Sequence, residues 1–285
     1  MDFELKNLVE LALKEDLGFG DVTSELTVGL EVRGRAKIVA REPLVLSGLP
    51  AALMAFKLVD SKLAVKSEAS EGQDLAAGDE VLGLAGRARS ILMGERVALN
   101  FLGRLSGVAT LTGKYVKAAA IIRGAAPKIL DTRKTTPGLR ALEKAAARHG
   151  GGHNHRFCLG DGILIKDNHI AAAGSIEKAL KMAKEKAPHN LKIEIEVDNL
   201  GQLLEALEHG ADAILLDNMD IPTLEKAVAL ANDFFKPHPR RVLLEASGGV
   251  TLENVPGIAL AGVDFISVGA LTHSAPAADL GLDWL

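Results

Sequence analysis

The chain has little of what cross-links a protein, anchors it in a bilayer or spreads it over a polyanion. Among 285 residues there is one cysteine, Cys158, which excludes an intrachain disulfide. No apolar run approaches the roughly 20 residues that cross a bilayer, so no transmembrane segment is expected. Positive charge is not in excess: 33 Lys and Arg face 37 Asp and Glu, a formal net charge of -4. That balance excludes a broad positive field, and with it a general binder of nucleic acid or of membrane surfaces. The opening "MDFELKNLVE" lacks the basic-then-apolar order of a signal peptide, and a cytoplasmic protein is expected. Internal repeats and low-complexity tracts are also missing. What is present, 48% hydrophobic and 25% charged residues, suffices for one large core or a large core with a small satellite domain. Local clusters of cations should then mean small anionic ligands.

Two rhythms divide the chain. Residues 1 to about 16 read as a helix, with Phe3, Leu5, Leu8, Val9, Leu11 and Leu13 apolar between charges, ended by "DLGFGD". From residue 33, "RGRAKIVAREPLVLSG", "KLAVKSEASEGQ" and "DEVLGLAGRARSIL" read as short strands between Gly, Pro and acidic turns, a small sheet. A long helix follows, because Val97, Phe101, Leu102, Leu105, Val108 and Ala109 fall at helical spacing. After about residue 125, "KIL" (128–130), "GILI" (162–165), "KIEIEV" (192–197), "AILL" (213–216), "VLLEA" (242–246) and "FISV" (265–268) alternate with helical stretches. This β/α alternation predicts a parallel sheet, doubly wound or closed as a barrel.

In such barrels the active site lies at the C-terminal strand ends. The six runs lead in turn into Asp131, Arg133 and Lys134; Lys166 to His169; Glu196 and Asp198; Asp217 and Asn218; Ser247 to Val250; and Gly269 to His273. Ser247, Gly248, Gly249 and Gly269 suit a phosphate held by backbone N–H groups, or else tight turns; two adjacent loops of this kind favour phosphate. Glu196 and Asp217 are placed as oxygen ligands for Mg²⁺ bound with substrate phosphates, with solvated strand ends as the alternative. In "RHGGGHNHR" the histidines His149, His153 and His155 could hold zinc, but there are no accompanying cysteines. Three glycines there instead suggest a closely approached loop that presents His155 and Arg156 to a ligand. Lys166 could form a Schiff base as in barrel aldolases, although Arg133, Lys134 and Arg156 around it read as an anion cage. A non-catalytic anion sensor is a third reading. On the long helix, Arg104 reads as a charge on the solvated face.

The segments "EDLGFGDVTS", "ERVALNFLGRLSGVAT", "DTRKTTPGLR", "EKAAARHGGGHNHR", "LIKDNH", "IEIEVDNL", "ILLDNM", "EASGGV" and "ISVGALTHS" together resemble the quinolinate phosphoribosyltransferases, in order from about residue 15 to 274. That resemblance implies conversion of quinolinate and phosphoribosyl pyrophosphate (PRPP) to nicotinate mononucleotide, CO₂ and pyrophosphate, with Mg²⁺ as cofactor. It implies an N-terminal α/β sandwich over residues 1–110, with the tail 274–285 packed back on it, and an open, incomplete α/β barrel over 111–273. It also implies a homodimer, or a higher homo-oligomer, in which Arg96 reaches the partner's barrel. Quinolinate is then expected at Arg96, Arg133, Lys134, His155, Arg156 and Lys166. The PRPP and phosphate side falls to Glu196, Asp217, Ser247, Gly248, Gly249, Gly269 and His273, with Glu196 and Asp217 serving the metal. Lys134, Lys166, Glu196 and Asp217 carry the catalytic roles. Gly103 departs from the pattern, since many members carry Gln there; an effect on packing and not on chemistry is expected. A related group associated with molybdenum transport shares the fold and much of the phosphate site.

The chemistry explains the cations. Quinolinate carries two carboxylates, and its ring nitrogen must meet the anomeric carbon of PRPP. Arginines give planar bidentate partners, and their excess charge offsets two anions brought together.

Overall fold

The structure, a computed structural model, describes residues 2–120, 126–236 and 242–285; the helix expected to begin at residue 1 has that residue and the side chain of Phe3 outside the described part. Two compact units result. Met1–Gly113, Thr136–Gly151 and Ser274–Leu285 form one, and Lys114–Thr135 with Gly152–His273 form the other. The first unit therefore takes in a helical stretch, Thr136–Gly151, from inside the sequence expected to be barrel throughout.

The first unit runs α1 (Asp2–Leu17), α2 (Val22–Thr27), β1 (Arg33–Ala40), β2 (Leu44–Val45), α3 (Leu49–Val59), β3 (Ala64–Ser67), β4 (Asp74–Leu75), β5 (Glu80–Arg87) and the start of α4 (Ala88–Ala119). β1, β3 and β5 form an antiparallel sheet whose other edge is the last strand of the chain, Leu280–Trp284, paired with β1. Alternation along β1 and β5 turns Ala36 and Ile38, with their partners Leu84 and Leu82, onto a core shared with Phe56 of α3 and Ile91, Leu102 and Leu105 of α4. Each large side chain fully buried there stabilises the unit by about 1.5–3 kcal/mol.

Two expectations fail here, for local reasons. "ARSIL" at the end of the third β-like run is the first turn of α4, because after Arg87 the apolar residues Ala88 and Ile91 fall three apart and both are buried. Leu49–Val59, read only as spacing between strands, is α3, with Pro50 in its first turn and the Glu71 carboxylate accepting from the Gly48 and Leu49 N–H groups.

Arg104 is also not a merely solvated charge. Its guanidinium donates to Oε1 of Glu143 (2.7 and 3.0 Å), a residue of the first unit whose side chain is 0% exposed, and to the Ala275 carbonyl (3.0 Å). Gly103 accepts the Ala278 N–H, and a Cβ on it would stand 3.0 Å from the Ala278 carbonyl. The glycine thus lets the C-terminal tail approach α4 closely, which is a packing role.

The second unit alternates β6 (Lys128–Leu130), β7 (Ile163–Ile165), α6 (Asp167–Ala173), α7 (Ile176–Lys186), β8 (Ile193–Val197), α8 (Leu200–Glu208), β9 (Ala213–Asp217), α9 (Ile221–Phe235), β10 (Leu243–Ser247), α10 (Val255–Leu260), β11 (Phe265–Ser267) and α11 (Ala270–His273); α5 (Arg140–His149) between β6 and β7 and β12 (Leu280–Trp284) at the end belong to the first. Six parallel strands lie in the order β6-β11-β10-β9-β8-β7. This is the mixed fold expected: an N-terminal sheet domain followed by a barrel-like parallel sheet. Ile193, Ile195 and Val197 are buried on the helix-facing side, leaving Glu194 and Glu196 on the other. Among the described residues, no helix is long and apolar enough to cross a membrane.

Candidate active site

Inward side chains at the C-terminal strand ends line a cavity of about 730 Å³ in the second unit. Arg133, Lys134, His155, Arg156, Lys166, Glu196, Asp217, Ser247, Gly248, Gly249, Gly269 and His273 all line it. Arg96 does not: it stands exposed on α4, in the first unit.

The cationic wall is built by backbone pairing. His153 exchanges hydrogen bonds with Ile129 and Asp131 along β6, extending the sheet edge. Asp131, fully buried, accepts from the Asn154 side chain and from the His155 N–H (2.9 Å). That anchor turns His155 and Arg156 beside Arg133. Arg156 donates to the Gly162 carbonyl (3.0 Å). Burial first and the neighbouring Arg133 charge second hold its guanidinium below the ordinary arginine range, against the pull of Glu194 and Asp161. Two like charges facing one half-buried space favour an anion between them.

At the ends of β7 and β8, Lys166 follows β7 directly, and its ammonium pairs with the Glu196 carboxylate from β8. Asp217 ends β9 and accepts from the Asn218 side chain (2.7 Å). Glu196 and Asp217 therefore both face the cavity from neighbouring strands, a hard-oxygen pair suited to Mg²⁺.

The third corner is made of close backbone. Gly248 has φ 92°, and a Cβ there would meet Asn218 Oδ1 at 2.2 Å. Gly249, also left-handed at φ 60°, has its carbonyl held by the Asn254 side chain (2.9 Å). A Cβ on Gly269 would come within 3.2 Å of both Lys134 Cδ and His273 Nε2. Lys134 is in turn fixed by the Thr272 hydroxyl, which donates to its carbonyl (2.6 Å). Bare backbone flanked by two basic side chains suits a phosphate.

Sequence reasoning missed the layer beneath. Side chains alternate along a strand, so the residue two before each mouth residue also faces inward: Leu164 before Lys166, Glu194 before Glu196, Leu215 before Asp217, Glu245 before Ser247, Ser267 before Gly269. Reading the runs two positions upstream would have found Glu194 and Glu245. His155 Nε2 lies 3.3 Å from Glu194 and 3.5 Å from Glu245, while the Ser267 hydroxyl donates to Glu245. The donor atoms of His155, Glu194 and Glu245 lie within 4.8 Å of one another. A cation there would need the Nε2 lone pair. The Arg156 N–H, however, donates to His155 Nδ1 (2.7 Å), which leaves the neutral ring's proton on Nε2, facing the carboxyls. The trio is built to hold protons rather than a metal. The zinc candidates do not assemble either: His149 Nδ1 is engaged by Ser47 and Glu71 in the first unit, and among the described residues no group of metal donors includes His149 or His153.

Comparison with known proteins gives a single answer. Residues 21–106 match the family model "Quinolinate phosphoribosyl transferase, N-terminal domain", and residues 108–283 match its C-terminal domain. The chain is 43% identical over 284 residues to a nicotinate-nucleotide pyrophosphorylase (carboxylating) of Mycobacterium leprae, covering 98% of this chain and 96% of the relative. It is 40% identical over 299 residues to quinolinate phosphoribosyltransferase (decarboxylating) 1b of Nicotiana tabacum, covering 98% and 82%. The solved structure of the nicotinate-nucleotide pyrophosphorylase from Francisella tularensis superposes with a TM-score of 0.91 at 38% identity, covering 100% of this chain and 97% of that one.

Proposed function

We propose, for a chain that belongs to the quinolinate phosphoribosyltransferase family, a division of the cavity into a dianion cage, a metal–pyrophosphate wall and a phosphate corner. The reaction is that of the family: the phosphoribosyl group passes from PRPP to quinolinate with decarboxylation, in NAD biosynthesis. The observation that carries the division is the juxtaposition of Arg133 and Arg156 on one wall with the Glu196 and Asp217 carboxylates on another.

Arg133, Arg156 and Lys134 take the two carboxylates of quinolinate and point its ring nitrogen across the cavity. His155 lines the same wall, with Nε2 turned to Glu194 and Glu245 beneath it, so it shapes the ring pocket more than it binds a carboxylate. Lys166 sits at the border of the two substrates, exchanging its Glu196 contact for a substrate anion as the site fills. It needs no carbonyl partner, which separates this reading from a Schiff-base aldolase. Ser247, Gly248, Gly249, Gly269 and His273 hold the 5′-phosphate of PRPP, and Glu196 and Asp217 hold Mg²⁺. When bound, that ion neutralises the departing pyrophosphate. The carboxylates also oppose the positive charge that develops on the ribosyl carbon.

Arg96 completes the cage from a second copy of the chain in a homodimer. Mixing inactive Arg96→Ala and Lys166→Ala proteins, with subunit exchange checked by tags, should restore part of the activity; verified mixed dimers that stay inactive would remove Arg96 from this role. The function itself is tested by supplying quinolinate, PRPP and Mg²⁺ and following pyrophosphate and CO₂ together. Release of both in equal amounts is the expected result, and binding without turnover would point to a sensor.

A further inference from the structure

Loss of CO₂ from C2 of the quinolinate nucleotide leaves the bonding electron pair on that carbon, and a proton must reach it before product can form. The question of which side chain supplies that proton rests on the reaction stated above. Few groups on the cavity lining can. The arginines keep their protons. Lys134 and Lys166 are both committed to substrate anions in that reading.

Glu245 differs. It reaches the cavity floor from β10 with 3% of its surface exposed, directly under the mouth residue Ser247. The groups facing it are Glu194 from β8, the His155 ring from the segment before β7, and the Ser267 hydroxyl from β11; its register partner on β9 is the apolar Leu215. His155 Nε2 lies 3.3 Å from Glu194 and 3.5 Å from Glu245, so the two acids share a single ring between them. Two carboxylates that share at most one cation in so dry a place do not both ionise readily, so one holds a proton.

We propose that Glu245 is the acid that protonates C2. The bond from C2 to its carboxylate breaks, and the electron pair left on C2 takes the Glu245 proton before CO₂ can recombine with it, so that CO₂ escapes. Glu245 remains as a carboxylate until water entering the emptied cavity reprotonates it. Burial first and the Glu194 charge second push its carboxyl up to about 8, while His155 and Ser267 pull the other way. An acid whose proton is held at neutral pH, yet not too tightly, is the one that transfers it efficiently.

Glu245→Gln keeps the shape and the hydrogen bonds but has no proton to give. In single turnovers with carboxyl-labelled quinolinate, PRPP and Mg²⁺, the unaltered protein should release pyrophosphate and CO₂ in step. In the variant, pyrophosphate should appear at close to the normal rate while CO₂ lags by on the order of 10² to 10⁴-fold, and the undecarboxylated nucleotide should accumulate. CO₂ release by the unaltered protein should also fall above about pH 8, and Ser267→Ala, which removes a donor to the ionised form, should move that limb to higher pH. Should Glu245→Gln not fold, the Ser267→Ala shift carries the test alone. CO₂ released in step with pyrophosphate by Glu245→Gln, or a pH limb unmoved by Ser267→Ala, would overturn the proposal. Absence of pyrophosphate from the unaltered protein would instead overturn the reading of the reaction, and this step with it.

Discussion

Arg104 in the first unit and Arg156 in the second are the same side chain set to opposite uses. Arg104 lies against the fully buried Glu143, so its charge is spent on holding the chain together. Arg156 lies beside Arg133, and that like charge helps hold it below the ordinary arginine range. The opposite charge beside Arg104, fully buried and off the cavity lining, marks structure; the like charge beside Arg156, on the cavity wall, marks a place suited to an anion. The same contrast holds for histidine, with His149 closed on Ser47 and Glu71 and His155 poised over two carboxyls at a cavity floor.

The contrast can be broken first at Arg156. Arg156→Ala should lower kcat/KM for quinolinate by about 30-fold to several thousand-fold, the consequence of losing roughly 2–5 kcal/mol of contact to a desolvated carboxylate. Its melting temperature should hold or rise slightly, since a like-charge contact is relieved. A large loss of stability with little loss of turnover would make Arg156 a structural residue after all.

Arg104→Ala should do the reverse. It takes the guanidinium from the buried Glu143, which keeps the Thr136 N–H and hydroxyl, at a cost of about 3–5 kcal/mol, readable as a lower denaturant midpoint at unchanged slope. Turnover per folded molecule should stay near normal at low temperature. Gly248→Ala sharpens the comparison within the site. The left-handed backbone and the Cβ clash with Asn218 cost about 1–3 kcal/mol, and KM for PRPP should rise by roughly tenfold with quinolinate binding little changed. A matching loss of quinolinate affinity would place this loop on the other substrate.

The smallest expected effect concerns stability and pH. Because the Glu245 carboxyl is raised in the folded protein to about 8 from an ordinary 4.5, the unfolded chain ionises first. Its contribution is intact below about pH 4.5 and is progressively lost as pH rises toward 8. Glu245→Gln should therefore raise the melting temperature by a few degrees at pH 8 and hardly at all at pH 4.5. An equal shift at both pH values would show that the gain comes from packing.

How much of this was legible depended on where the information sits. The mouth residues were readable because each follows an apolar run, and the barrel topology turns strand ends toward one face. The floor residues Glu194 and Glu245 sit deeper inside "KIEIEV" and "VLLEA", where they read as strand, although period-two alternation gives their direction. α3 was missed because "LPAALMAFKLV" is apolar almost throughout and shows no stripe, its end being fixed by a distant carboxylate, Glu71. The Arg104–Glu143 pair joins residues 39 apart in sequence, a contact that no local pattern signals.

The central claim, that the second unit's cations form a cage for two carboxylates, is tested most directly by the ratio of kcat/KM for quinolinate to that for nicotinate, which has one carboxylate fewer. A site that has desolvated its cations for a second anion should favour quinolinate by on the order of 10⁴, and Arg156→Ala should shrink that ratio by lowering the quinolinate value far more than the nicotinate one. Comparable use of the two acids by the unaltered protein would contradict the account.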